Sequence, residues 1–174
     1  MLEVRALLER DDRSTFRSGD PDLDRFFQQF AGQNQFKPHL GVSYVAVDDG
    51  RILGFATVAA AHLEIENLPD VLRRKLPDHP LPVLRLARLA IDQSAQGQGL
   101  GIQLLRFVLG LKLEMANDYG CVGIVVDAKL GAVPFYAQYG FISIDVLAGL
   151  SDARPAPIAM FLSIRAVAGA LASD

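Results

Sequence analysis

Tryptophan is absent from this 174-residue sequence, and there is only one cysteine, Cys121. A single cysteine excludes an internal disulfide framework, the usual support of small secreted domains, and we therefore expect a cytoplasmic protein. Cys121 stands at the start of an apolar run, where the expected role of the thiol is packing in the core. Charged residues are frequent near the N-terminus, which predicts that there is no signal peptide.

Long hydrophobic runs are also missing. No uninterrupted apolar stretch approaches the ~18 residues that a membrane-spanning helix needs, so we expect no membrane partner. There is no excess of positive charge either, since 17 Lys and Arg against 20 Asp and Glu give a net charge of −3. The sequence as a whole is therefore not attracted to nucleic acid, although a local basic face remains open.

Hydrophobic residues, in contrast, make up 51% of the chain. This share is high and favours an apolar interface between subunits, so we expect a homodimer. The three histidines, His39, His62 and His79, stand apart in the sequence and show no metal-ligand spacing. We expect no metal site.

The length predicts one domain, residues 1–174, and no repeat or linker divides the chain. A strand is expected within residues 1–10, and Asp20 followed by Pro21 begins a helix predicted over 21–35. Residues 41–47 and 51–60 predict a hairpin, because the turn between them reads Asp-Asp-Gly. Residues 63–76 predict a short helix.

The most informative stretch is residues 86–101. An apolar, strand-like run ends at Asp92, and the glycine-rich sequence Gln-Gly-Gln-Gly-Leu-Gly follows over 96–101. Helical periodicity begins at Ile102. A strand, a glycine loop and a helix in this order place backbone N–H groups at a helix N-terminus, where anions bind. The spacing matches neither a P-loop nor a dinucleotide fingerprint, which leaves a tight strand-to-helix connection as the other interpretation.

A second buried strand is predicted over 122–127, and a closing strand over 156–167 after a loop at 147–155. Strands and helices alternate in this half of the chain, which requires parallel neighbours, whereas the first half contains the hairpin. The sequence therefore predicts a mixed α/β sheet.

Two motifs carry a resemblance to a known family. Gln96-x-x-Gly99-x-Gly101 resembles the diphosphate-binding motif of the GCN5-related N-acetyltransferases (GNAT), and Phe135-Tyr136-x-x-x-Gly140-Phe141 resembles the closing helix and turn of the same family. The resemblance implies a single-domain α/β fold with a mixed, mostly antiparallel sheet, whose parallel central strands splay apart and are flanked by helices. It also implies an enzyme that transfers an acetyl group from acetyl-CoA to a primary amine.

Residue roles follow from this resemblance. Tyr136 takes the position of the general acid, because a phenol with a pKa near 10 is protonated at neutral pH. A core tyrosine is the alternative, and Tyr139 is a second candidate for the hydroxyl. The residues implied in acetyl-CoA binding are Leu89, Ala90, Ile91, Gln96, Gly97, Gln98, Gly99, Leu100, Gly101, Ile102, Asp127 and Phe135, the last also interpreted as packing. For Asp92, Glu64 and Glu66 a capping or solvated carboxylate is expected rather than a general base, because water relays can serve instead.

The acceptor amine is left open between several classes. The segments around Phe16-x-Ser18-Gly19 and 82–90 resemble the branch of type II toxins that acetylate the α-amine of aminoacyl-tRNA and are held by a ribbon-helix-helix antitoxin. This implies that Arg88, Arg73, Arg74 and Lys75 contact the substrate. The net acidic charge departs from that branch, because phosphate contacts need Lys and Arg. A small-molecule amine, a protein N-terminus or lysine, and a non-catalytic acetyl-CoA-binding module are the alternatives.

Overall fold

The computed structural model describes residues 1–77, 79–144, 156–163 and 165. The chain forms two compact units. Unit 1 consists of Met1–Ala59 and Leu86–Gly110, and unit 2 of Ala60–Arg85 and Leu111–Asp174. Among the described helices, none is long and apolar enough to cross a membrane.

Within the described residues, seven strands pair in the order β1-β2-β3-β4-β5-β7-β6. They are β1 (Glu3–Ala6), β2 (Val42–Asp48), β3 (Arg51–Leu63), β4 (Leu81–Ile91), β5 (Gly123–Ala128), β6 (Ile142–Ser143) and β7 (Ile158–Ser163). The α-helices in the described part of the chain that we number are α1 (Pro21–Arg25), α2 (Ala31–Phe36), α3 (Asp70–Arg73), α4 (Leu100–Asp118) and α5 (Val133–Ala137).

The predicted hairpin is confirmed in unit 1. Strand β2 pairs with β3 antiparallel, with Asp48 opposite Arg51. The two residues of the turn, Asp49 and Gly50, have φ angles of 49° and 74°. Positive φ at both positions matches the right-handed twist of the two strands, and Asp and Gly are among the residues that adopt it most readily. Strand β1 extends the sheet by pairing antiparallel with β2.

The predicted helix over 21–35 is present, but its middle differs from a regular α-helix. Asp20 caps it, since the carboxylate accepts hydrogen bonds from the backbone N–H groups of Asp22 at 3.0 Å and Leu23 at 3.3 Å. Between α1 and α2 lies a π-helical turn, Phe26–Phe30, in which the N–H of Ala31 donates to the carbonyl of Phe26. Such turns are rare and often occur at functional sites.

Aromatic packing holds this helical segment in the core of unit 1. The rings of Phe27 and Phe55 stack with centroids 4.3 Å apart, and Phe16 meets Phe27 edge to face at 5.0 Å. Phe26 and Phe27 are buried, while Phe30 is exposed. Of the three phenylalanines in this turn, Phe26 and Phe27 therefore pack in the core of unit 1.

Strand, glycine loop and helix follow one another as predicted. Strand β4 ends at Ile91, a 3-10 turn covers Gln93–Ala95, and α4 begins at Leu100. The apolar face of α4 that lies in unit 1 is fully buried and consists of Leu104, Leu105, Val108 and Leu109.

Unit 2 has its own core. Strands β5 and β7 pair antiparallel, and Val125 and Phe161 belong to a buried cluster with Leu63, Leu81 and Val83. Cys121 is buried and its Sγ donates to the carbonyl of Gly123 at 3.2 Å, which confirms the packed thiol. The short helix expected within 63–76 is α3. The predicted loop 147–155 lies outside the described residues.

Candidate active site

The glycine-rich loop of unit 1 has the conformation that its sequence suggests. Gly97 and Gly99 have φ angles of 77° and 81°, in the left-handed region that other residues rarely adopt. A β-carbon at Gly97 would meet no other atom of the protein within 4 Å, so among the contacts within the protein it is the positive φ that favours glycine there. The loop leads into the first turn of α4, where N–H groups have no acceptor within the helix and the dipole is positive. This arrangement can bind a phosphate group.

The side chain of Gln96 is engaged with the protein itself. Its Nε2 donates to the backbone carbonyl of Ser18 at 2.7 Å and to that of Ile91 at 3.0 Å. A side-chain amide has two N–H donors, and both are therefore used. The backbone N–H of Gln96 is therefore the donor of this residue that remains available to an anion.

Asp92 is a structural carboxylate, as the capping interpretation predicted. It is 4% exposed and accepts hydrogen bonds from the N–H of Arg17 at 2.9 Å and from the hydroxyl of Ser94 at 2.6 Å. Burial by itself would raise the pKa of Asp92, but these hydrogen bonds and the charge of Arg51 lower it below its usual value. A carboxylate with a lowered pKa is a weak general base.

The remaining unit 1 residues of the predicted site lie on β4 and α4. Leu89 and Ile91 are half-buried and pack with the buried Leu100. The guanidinium of Arg88 lies over the ring of Phe26, with its central carbon 3.7 Å from the ring centroid. Arg88, the end of β4 and residues 96–102 thus all belong to unit 1.

Tyr136 lies in unit 2, on α5. It is 5% exposed, and its ring meets Phe135 at 5.1 Å and Phe141 at 5.4 Å, both edge to face. Burial raises the pKa of the phenol above its usual value, so the hydroxyl is protonated throughout the neutral range. Tyr139 is half-buried and contacts the ring of Phe135 at 5.4 Å. Phe135 therefore packs between the two tyrosines.

Asp127, near the end of β5, has a partner that the sequence analysis missed. Its Oδ2 accepts a hydrogen bond from Nε of Arg85 at 2.9 Å, and Nη2 of the same guanidinium donates to it as well. The feature that could have indicated this ion pair is Arg85, a charged residue between Leu84 and Leu86. In the structure Arg85 is exposed and its two neighbours are buried.

The basic triplet also lies in unit 2. Arg73, Arg74 and Lys75 are exposed at the end of α3, and Arg73 forms a 3.4 Å ion pair with Asp70. Glu64 and Glu66 are exposed as well, as expected for solvated carboxylates. In the described part of the chain, no group of three or more His, Cys, Asp or Glu could hold a metal ion.

The sequence also matches a family model described as an acetyltransferase (GNAT) domain, over residues 39–143. The chain belongs to the GNAT acetyltransferase family. It is an acetyl-CoA-dependent N-acetyltransferase, as the two motifs predicted.

Known relatives of this acetyltransferase agree with the family. The sequence is 36% identical over 140 residues to a tRNA-acetylating toxin of Mycobacterium tuberculosis, a match covering 79% of this chain and 82% of the relative. It is 26% identical over 168 residues to a probable toxin TacT of Sinorhizobium fredii, covering 91% and 88%. The crystal structure of AtaTR bound with AcCoA is 26% identical, covers 96% of both chains and has a TM-score of 0.77. The predicted α/β fold class, with a mostly antiparallel sheet flanked by helices, is confirmed.

Proposed function

We propose that this acetyltransferase transfers the acetyl group of acetyl-CoA to the α-amino group of aminoacyl-tRNA and acts as the toxin of a type II toxin-antitoxin pair. The similarity to the tRNA-acetylating toxin of M. tuberculosis carries the proposal, because it extends over 79% of this chain. The further elements are a cytoplasmic location, a homodimer, and a ribbon-helix-helix antitoxin as partner, all expected from the sequence.

The glycine-rich loop is proposed to hold the diphosphate of acetyl-CoA. Support comes from the left-handed Gly97 and Gly99, which expose successive backbone N–H groups at the start of α4. The backbone N–H groups near Leu89 and Ile91 are assigned to the pantetheine arm and to polarising the thioester carbonyl. On this assignment the cofactor is recognised by backbone more than by side chains.

Tyr136 is proposed as the general acid. The neutral acceptor amine attacks the thioester carbonyl, a C–N bond forms and the C–S bond breaks, and the leaving thiolate takes the phenolic proton. The proton that the attacking nitrogen loses passes through water and restores the phenol, so the products are the amide and the free thiol of coenzyme A. Burial raises the pKa of Tyr136, so the phenol carries its proton at neutral pH, as a general acid must. Because the same shift makes the phenol a weaker acid, the role is supported by the position of Tyr136 in the closing motif and not by its pKa.

Arg73, Arg74 and Lys75 are proposed to contact the phosphate backbone of the acceptor. All three are exposed, so their charges are accessible to a polyanion. A net charge of −3 over the chain makes such a local cluster more important, since there is no overall attraction to RNA.

The proposal is tested by offering the purified protein labelled acetyl-CoA and four acceptors: aminoacyl-tRNA, uncharged tRNA, a small primary amine and a lysine-containing peptide with a free N-terminus. We expect label on aminoacyl-tRNA, at the amino acid, and none on uncharged tRNA. Label on the small amine or on the peptide, with none on aminoacyl-tRNA, would contradict the proposed acceptor. It would support a small-molecule amine or a protein N-terminus or lysine instead.

A further inference from the structure

Residues 16–20, which we call the strap, form three hydrogen bonds with residues 92–96, the segment that leads into the glycine-rich loop and contains its first residue, Gln96. The N–H of Arg17 donates to Asp92 at 2.9 Å, and its carbonyl accepts from the N–H of Gln93 at 2.7 Å. Gln96 then reaches the carbonyl of Ser18 at 2.7 Å. The approach is close, since a β-carbon on Gly19 would stand 2.9 Å from Nε2 of Gln93. These partners are more than 70 residues apart in the chain.

The other side of the strap is fastened to the helical segment 21–36. The N–H and the hydroxyl of Ser18 donate to Oδ1 of Asp24 at 2.9 Å and 2.6 Å. Nε2 of Gln28, in the π-helical turn, donates to the carbonyl of Phe16 at 2.7 Å. The strap thus connects the helix to the loop through side chains of both.

Gln96 is the member of this network that lies inside the acetyl-CoA motif. Its two amide donors both serve backbone carbonyls, of which one belongs to the strap. The atom left over is a carbonyl oxygen, which an anion repels. The side chain therefore supports the loop from behind instead of contacting a phosphate.

We propose that Gln96 is a positioning residue, which acts with Ser18 and Asp24 to hold the glycine-rich loop in its acetyl-CoA-binding conformation. The proposal rests on the proposed cofactor role of the loop. It has a consequence that a direct contact would not have: affinity for acetyl-CoA depends on Asp24, a residue of α1 that belongs to no acetyl-CoA motif. The same connection links the loop to the helix that carries Phe26 and, stacked on it, Arg88.

The test is a double-mutant cycle on acetyl-CoA affinity, measured by calorimetry with Gln96→Leu, Asp24→Ala and the double variant. We expect Gln96→Leu to weaken binding about tenfold and Asp24→Ala about threefold, in line with the loss of hydrogen bonds that are worth roughly 1 kcal/mol each. The double variant should bind about as weakly as Gln96→Leu alone, because both changes release the same connection. In turnover assays the KM for acetyl-CoA should rise while kcat at saturation is kept.

Asp22→Ala is the matched control, since Asp22 is an exposed acid in the same first turn of α1. It removes the same charge from the helix N-terminus without touching the strap, and acetyl-CoA affinity should stay within about twofold of wild type. Ser18→Ala is a second, milder way to release Asp24, and thermal unfolding verifies that each variant is folded.

Two results would overturn the proposal. One is unchanged acetyl-CoA affinity in both Asp24→Ala and Ser18→Ala, and the other is strictly additive losses in the double variant, which indicate independent contacts. If the wild-type protein binds no acetyl-CoA at all, the cofactor role of the loop falls, and the positioning role falls with it.

Discussion

Among the residues that the structure describes, Lys112 has the most unusual environment for its side chain. It is fully buried on α4, and within the described residues its Nζ has no hydrogen-bond partner. Burial lowers the pKa of the amine to about 8, because a charged ammonium loses its hydration in the interior. An unsatisfied amine of this kind opposes folding and is retained at a cost in stability.

Replacing Lys112 with Met should therefore stabilise the protein at neutral pH. The unfolded chain binds the proton up to a pKa of 10.5 and the folded chain only up to about 8. The free-energy cost that the protonated Lys112 amine imposes on folding is full below pH 8 and disappears as the pH rises to 10.5. The free energy of unfolding of the wild type therefore rises over this window. The advantage of Lys112→Met should shrink there by on the order of 3 kcal/mol.

Urea unfolding of both proteins at pH 7, 9 and 10.5 measures this difference. Since all other groups are shared, the difference between the two proteins isolates residue 112. A constant difference at all three pH values would contradict a lowered pKa at this position.

Tyr136→Phe tests the proposed general acid. Removing the hydroxyl keeps the ring packing against Phe135 and Phe141, so the fold and the affinity for acetyl-CoA should be preserved. Loss of a positioned acid should lower kcat about 100-fold. The measurement is steady-state acetyl transfer together with calorimetric titration of acetyl-CoA.

Tyr139→Phe is the control for this change, because it removes a phenol three residues away on the same segment. We expect its kcat to remain close to wild type. If Tyr139→Phe lost activity and Tyr136→Phe kept it, the acid would be reassigned to Tyr139.

Among the elements, the glycine-rich loop depends most directly on backbone conformation. Gly99 has a φ of 81°, and the left-handed region costs an L-residue roughly 1–2 kcal/mol. Gly99→Ala should shift the loop away from this conformation and weaken acetyl-CoA binding about tenfold, with little effect on stability if the loop relaxes.

Gly110→Ala provides a matched control. Gly110 lies within α4, its φ is not positive, and a β-carbon there would meet nothing within 4 Å. Alanine is the better helix former, so this variant should gain about 0.5–1 kcal/mol in thermal or urea unfolding and bind acetyl-CoA as the wild type does. Equal affinities for Gly99→Ala and wild type would show that the loop does not need the left-handed residue.

For the whole molecule, charge decides how a polyanionic substrate is bound. The chain carries a net charge of −3, so binding of the proposed tRNA acceptor would depend on local clusters such as Arg73, Arg74 and Lys75. Changing all three to alanine should weaken tRNA binding and reduce the slope of log affinity against log salt by about 2. Acetyl transfer to a minimal aminoacyl acceptor without the tRNA body should be unaffected.

Arg10→Ala, which removes an exposed cation elsewhere in the sequence, serves as the control in the same filter-binding titrations. A triplet variant with unchanged affinity and salt slope would place the phosphate contacts on other residues.

The hairpin, the capped helix and the strand-loop-helix order were predictable from the sequence because each is a local pattern. Asp49 and Gly50 suit their turn, and Asp20 with Pro21 suits a helix start whatever the rest of the chain does. The π-helical turn was not predictable. Within Phe26–Phe30 the π-helical hydrogen-bonding pattern replaces the α-helical one. The packing of Phe27 on Phe55, rather than helix propensity, stabilises this turn.

The sequence alone determined the family, the fold class and the place of the glycine-rich loop between a strand and a helix, because glycine spacing and hydrophobic periodicity act over short distances. Only the tertiary structure decided which side chains meet. Gln96 with Ser18 and Arg85 with Asp127 are separated by 78 and 42 residues, and the burial of Lys112 likewise depends on which segments fold over it. Such partners are chosen by packing between distant segments, which no local pattern encodes.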